Sequence, residues 1–144
     1  MPTLISGSTG VNKITDGTIV DADIASGAAI AGSKLVMPTG SVLQVVQGTD
    51  STGISVSSST YAATGLDATI TPTSSSSKIL VIVSGFGNVS ANAVHGVATV
   101  YRGSTDLGNS YGFGDFYTAS GGYTEFFIGF NYLDSPSTTS ATTY

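Results

Sequence analysis

The sequence predicts an all-β fold, a jelly-roll β-sandwich over residues 37–144 preceded by an extended segment over residues 1–36. Three observations predict it. First, no stretch carries ten residues of helical periodicity free of Gly or polar interruption. Second, from Pro38 onward short Val-, Ile-, Tyr- and Phe-rich runs recur every 10–15 residues with Gly, Ser, Asn and Asp clusters between them. That rhythm belongs to sandwiches, and roughly seven or eight such strands suit a jelly roll. Third, residues 1–36 contain no aromatic residue and place Ile14, Ile19, Ile24, Ile30 and Leu35 at gaps of five, five, six and five. A gap of five rotates a helix by about 140°, at about 100° per residue, and scatters these side chains around the axis. In a strand, odd gaps throw them onto opposite faces. A near-constant period of this kind marks stacking along one direction against something outside a single element.

The elements follow in order. "SGAAIAGSKL" can also be read as a short helix capped by Ser26, although Gly27 and Gly32 weaken it. "GSVLQVVQG" (40–48) alternates and reads as a strand, and "GISVSSSTYAATG" (53–65) as a polar strand or loop. "LDATITP" (66–72) is a strand stopped by Pro72, and "TSSSS" a turn. "KILVIVSGFGNVS" (78–90) begins as a continuous apolar run, the pattern of a strand covered on both faces. "VHGVATVYRG" (94–103) is a further strand, and "STDLGNS" a turn around a short polar strand. "YGFGDFYTASGG" (111–122) reads as an aromatic, glycine-rich loop. "YTEFFIGFNYLD" (123–134) is a long strand with Phe126, Ile128 and Phe130 on one face and Phe127 on the other. "ATTY" reads as the start of one more strand.

Composition narrows the function. Charged residues make up 9% of the chain and hydrophobic residues 40%, against a typical quarter charged. Such a chain has a core to build and few groups to solvate its outside, so it can hide surface against copies of itself. Four basic residues against nine acids give a net charge of −5, with no basic cluster, which argues against nucleic-acid binding. The absence of Cys removes disulfides and thiolate metal sites. "MPTLISGSTG" has neither the basic nor the apolar region of a secretory signal. No apolar run reaches the roughly 18 residues of a membrane-spanning helix.

Candidate chemistry is sparse, and no cofactor is called for. The lone His95 sits in a strand with no acid or nucleophile that sequence assigns to it, and reads as structural. No G-x-S-x-G elbow with a helical follow-on occurs. Asp115 and Glu125 are conceivable as a glycosidase pair, but nothing in the sequence pairs them. "DGTIVDAD" (16–23) gathers three carboxylates without EF-hand spacing and reads as a solvated acidic face rather than a metal site. The glycine-rich "SGFGNVS" lacks the basic residue and helix of a phosphate loop. The best binding candidates are Tyr111, Tyr117 and Tyr123, whose apolar faces and polar tips suit sugars or protein interfaces. Core or interface packing competes with that role.

"KITDGTIVDADIASGAAIAGSKL", "GSVLQVVQ", "TGLDATITPTSSSSKILVIVS" and "FFIGFNYLDSPSTTSATTY" together resemble tail-fibre-like and other virion structural proteins of marine bacteriophages, cyanophages among them. The resemblance spans about residues 12–144. Its more specific pieces are "GLDATITPTSSSSKILV" and "YLDSPSTTSATTY". More distantly, the second part is similar to the trimeric tumour-necrosis-factor/C1q-like jelly rolls. The resemblance implies a non-enzymatic homotrimeric fibre or decoration protein on the virion surface, assembled in the host cytoplasm. Residues 1–36 would then be an attachment stalk that joins other capsid or tail proteins. Ile14, Ile19, Ile24, Ile30 and Leu35 would pack in it around the threefold axis, and Phe126, Ile128 and Phe130 would line the jelly-roll core or trimer interface. Tyr111, Tyr117 and Tyr123 would face a host-surface glycan, with no nucleic-acid partner and no membrane insertion. The alternative is a soluble carbohydrate-binding adhesin, or lectin-like module, on the same fold.

Overall fold

The computed structural model describes Ala22 and residues 24–30, 35–120 and 122–144. The chain divides into two compact units, Met1–Leu43 and Gln44–Tyr144. Every regular element among the described residues is a β-strand, and all pairing is antiparallel, so the chain is all-β.

In the first unit, the described residues hold turns. Ala28 N–H donates to the Ala25 carbonyl at 2.8 Å around Ser26 and Gly27, where the sequence allowed a capped helix. Gly40, at φ 90°, lets Ser41 N–H reach the Pro38 carbonyl at 3.1 Å. Ile24, Ile30 and Leu35 are exposed. Ile14 and Ile19 lie outside the described residues.

Among its described residues the second unit contains eight strands: β1 (Thr69–Ile70), β2 (Ile79–Val89), β3 (Val94–Ala98), β4 (Tyr101–Arg102), β5 (Thr105–Asp106), β6 (Gly114–Thr118), β7 (Thr124–Asp134) and β8 (Thr142–Thr143). Their pairing is nested: β1 with β8, β2 with β7, β3 with β6, and β4 with β5. Gly103, at φ 56°, turns the chain at the tip between β4 and β5. Single backbone bonds carry the pairing past the strand ends: Leu107 N–H to Val100 O, Phe113 N–H to Ala98 O, and Tyr144 N–H to Ala68 O. Thr118, buried at the end of β6, donates its hydroxyl to Ala91 O at 2.7 Å and pins the corner between β2 and β3.

The long ladder of β2 and β7 runs in unbroken register from Ile79 opposite Asp134 to Val89 opposite Thr124. Its inner face carries Val81, Val83, Phe126, Ile128, Phe130 and Tyr132, all half-buried. Phe126 stacks on Phe116 of β6 at 4.9 Å and 5°, and Phe130 on Phe113 at 5.0 Å and 15°. The two ribbons therefore pack through aromatic rings. Glycine makes the room: Phe126 lies opposite Gly87, and Phe116 opposite Gly96. A Cβ on Gly87 would stand 2.5 Å from the Phe126 ring, and one on Gly96 2.9 Å from it. A single ring thus touches β2 and β3 while stacking on β6.

Three expectations need correcting. The run 40–48 forms no strand, and Val42, Leu43, Val45 and Val46 are exposed. Alternation encodes two faces but supplies no partner, and no ladder among the described residues accepts this segment. The run beginning at Lys78 is not covered on both faces. β2 alternates strictly, with Leu80, Ile82 and Phe86 exposed. The aromatic segment 111–122 is not all loop, since its middle forms β6 opposite β3.

Candidate functional site

The outer face of the β3 and β6 ribbon gathers the most chemistry. Alternation turns His95 outward from β3, and Asp115 and Tyr117 outward from β6. The register sets His95 directly opposite Tyr117, with Asp115 one diagonal step away, opposite Val97. His95 Nδ1–H donates to Asp115 Oδ1 at 2.7 Å. An ionised carboxylate only accepts, so this bond fixes the proton on Nδ1. The imidazole lies 4.8 Å from the Tyr117 ring at 42°, and 6.3 Å from the Tyr111 ring.

Tyr111 reaches the cluster from a turn. Gly112 N–H donates to Asn109 O at 2.8 Å, and the Asn109 side-chain oxygen accepts from Tyr111 N–H at 2.8 Å. Asn at the first position and Gly at the fourth are what such a turn prefers. Gly112 has φ 63°, and a Cβ there would meet the Ala98 carbonyl oxygen at 2.3 Å, so the site admits only glycine without rearrangement. The turn is tied to β3 at Ala98, three residues beyond His95.

The cluster is open to water: the His95 side chain is 47% exposed and that of Asp115 31%. Tyr111 and Tyr117 are exposed too. Among the described residues nothing bonds to His95 Nε2 or Asp115 Oδ2, and no hydroxyl sits at the imidazole as a nucleophile would. What the arrangement offers is two aromatic faces beside an imidazole nitrogen and a carboxylate oxygen. No group of three or more His, Asp or Glu that could hold a metal occurs among the described residues.

The other predicted residues fall elsewhere. Tyr123 is exposed but lies beside Phe86, Asn88 and Glu125, and Glu125 stands opposite Asn88 on the long ladder. Phe126, Ile128 and Phe130 face the chain's own interior. His95 and Asp115 were individually visible in the sequence. Their pairing was not, because twenty residues separate them and only the β3 and β6 register joins them.

A second constellation is buried. Arg102 of β4 donates from Nη1 to both oxygens of Asp134 at 2.8 and 2.9 Å, and Tyr144 OH donates to Asp134 Oδ2 at 2.5 Å. Asp134 is 4% exposed. Burial pushes its carboxyl upward. The Tyr144 and Arg102 hydrogen bonds, the Ser135 amide and the guanidinium charge outweigh that and hold it below the usual carboxylate range. Burial first, then the bond to Asp134 and its charge, push the Tyr144 phenol well above its ordinary value. This set ties β4, the end of β7 and the residue after β8 together. No family model matches the chain, and neither a curated protein nor a solved structure does.

Proposed function

We propose that this chain is a non-enzymatic virion structural protein of a bacteriophage, a homotrimeric fibre or decoration unit whose jelly roll carries a host-facing surface. The observation that carries the reading is the outer face of the long ladder. Leu80 stands opposite Leu133, and Phe86 meets Phe127 edge-on at 5.6 Å and 78°, with Ile82 beside them. Phe86 is 82% exposed, Ile82 74% and Phe127 64%. Monomeric proteins rarely leave so many large apolar side chains in water on one face. The second unit also buries few apolar residues of its own, chiefly Ile79, Val89 and Val100. Covering each large side chain contributes about 1.5–3 kcal/mol, so a chain so poor in core gains most by folding and associating together.

The nested pairing of β1 with β8, β2 with β7, β3 with β6 and β4 with β5 supports the jelly roll, since that fold winds one long antiparallel ribbon on itself. The apolar period of residues 1–36 supports a stalk that joins other virion proteins. Ile24, Ile30 and Leu35, exposed in the single chain, are then covered by two further copies. A lectin-like adhesin is the second reading, favoured by the exposed tyrosine and histidine cluster.

Native mass by light scattering tests the assembly. The full chain should give about three times its 14.4 kDa, and removing residues 1–36 should weaken the trimer. The Phe86→Ser/Phe127→Ser pair should lower the mass toward one chain. A full-length monomer at micromolar concentration would refute the fibre reading and leave the adhesin.

A further inference from the structure

We infer that His95, Asp115, Tyr111 and Tyr117 form a binding site for a neutral saccharide, and that the site discriminates against acidic sugars. The inference rests on the host-contact part of the proposed function and is independent of trimerisation, because one chain supplies every residue.

The chemistry of the free atoms selects the ligand. With Nδ1–H committed to Asp115 Oδ1, Nε2 is the imidazole nitrogen left for a ligand, and Asp115 keeps Oδ2 as an acceptor. In the Nδ1–H tautomer Nε2 accepts, as Oδ2 does, so the cluster calls for a ligand that carries hydroxyl donors. The rings of Tyr117 and Tyr111, 4.8 and 6.3 Å from the imidazole, supply flat apolar faces for the C–H face of a pyranose and phenol groups for its edge. Rigid aromatic rings cost little conformational entropy on binding, and the Asn109–Gly112 turn already holds Tyr111 in place.

Charge sets the discrimination. The cluster itself contains a carboxylate, and among the described residues no cation is free beside it for an incoming anion. The only arginine, Arg102, is committed to Asp134, and Lys78 is bonded to Ser135. A uronate or phosphorylated sugar would bring a negative charge to Asp115 with no described cation to pair it, and like charges so placed are repelled.

The test uses the full-length protein and three neutral probes, the methyl glycosides of glucose, galactose and mannose, with methyl glucuronoside as the acidic counterpart. Tyrosine fluorescence suits the readout, since the chain has no Trp, and saturation-transfer NMR reports the bound face. At least one neutral glycoside should bind with a dissociation constant on the order of millimolar, and the uronoside about tenfold more weakly. Tyr117→Ala should abolish binding, and Asp115→Asn should weaken it about fivefold, the scale of one lost hydrogen bond. Tyr123→Ala should leave it unchanged. Tyr111→Ala is a second truncation should Tyr117→Ala fail to fold, which far-UV circular dichroism would reveal.

No response to any neutral probe overturns the inference. So does equal binding by wild type and both tyrosine truncations, or tighter binding of the uronoside. Light scattering on the same samples keeps the two ideas apart. A trimer that binds no sugar refutes the site alone, and a monomer that binds refutes the trimer alone.

Discussion

Replacing Arg102 with Met keeps most of the side chain's apolar length and removes the guanidinium. Asp134 then remains 4% exposed, and of its partners only the Tyr144 hydroxyl and the Ser135 amide survive. Breaking a buried ion pair on one side costs about 3–5 kcal/mol. The Arg102 side chain is 30% exposed, so water screens part of the pair, and about 2–4 kcal/mol is the expected loss at pH 7. In urea, with a slope of about 2 kcal/mol per molar, that moves the midpoint down by about 1–2 M. Protomer concentration must be held fixed, since association feeds the apparent stability.

The pH dependence carries the sign. The folded carboxyl of Asp134 titrates below its unfolded value, so its contribution is present in full above the unfolded value near 3.9 and is lost as pH falls through the folded one. The gap between wild type and Arg102→Met should therefore hold from pH 7 down to about the unfolded value and narrow below it toward pH 3. Asp134→Asn added to Arg102→Met should recover about 1–2 kcal/mol, because an amide tolerates burial better than an unpaired carboxylate. A change under about 0.5 kcal/mol, typical of a surface pair, or a gap that stays constant with pH, would refute the lock.

Two further perturbations follow from close approaches. Gly87→Ala puts a Cβ 2.5 Å from a Phe126 ring already confined by Gly96 and Phe116. Thermal unfolding should show a loss of about 1–3 kcal/mol, as for an overpacked core, whereas Gly85→Ala on the same strand, with open space around its Cβ, should cost under about 1 kcal/mol. Gly112→Ala must either adopt φ 63° or move away from the Ala98 carbonyl. It should destabilise by about 1–3 kcal/mol and shift the Tyr111 ring resonances, and unchanged Tyr111 shifts would contradict the turn's role in placing that ring.

The β7 half of the long ladder is legible in sequence, since the split of Phe126, Ile128 and Phe130 from Phe127 follows from a period of two alone, whereas the continuous apolar run of β2 hides the alternation of its burial. The failures share one cause: alternation states which residues share a face and is silent about what lies across. Val42–Val46 has the pattern and lacks a partner. β6 has a partner, but Gly112 and Gly114 disguise its start. A signal for it was present, since Asp115 and Tyr117 alternate with Phe116 as polar-tipped against apolar. His95 and Asp115 illustrate the limit, because no local rule joins residues twenty apart until β3 and β6 are set in register. The Gly87 and Phe126 complement likewise exists only across a ladder, as a missing side chain on one strand matched to a large one on the other.

The nested pairing also fixes a sensible order of assembly. Closing Ile70 onto Thr142 first would tie off a loop of about 70 residues. Starting at Gly103 and zipping outward through β3 with β6 and then β2 with β7 leaves only the two short connections, 71–78 and 135–141, to be ordered when β1 meets β8. The final closure is then easier by roughly 1–2 kcal/mol of chain entropy. The same geometry sets how the domain opens. The pairing of Thr69 with Thr143 rests on two residues per strand and frays first, while amides near the middle of the β2 and β7 ladder exchange only when the whole ribbon lets go.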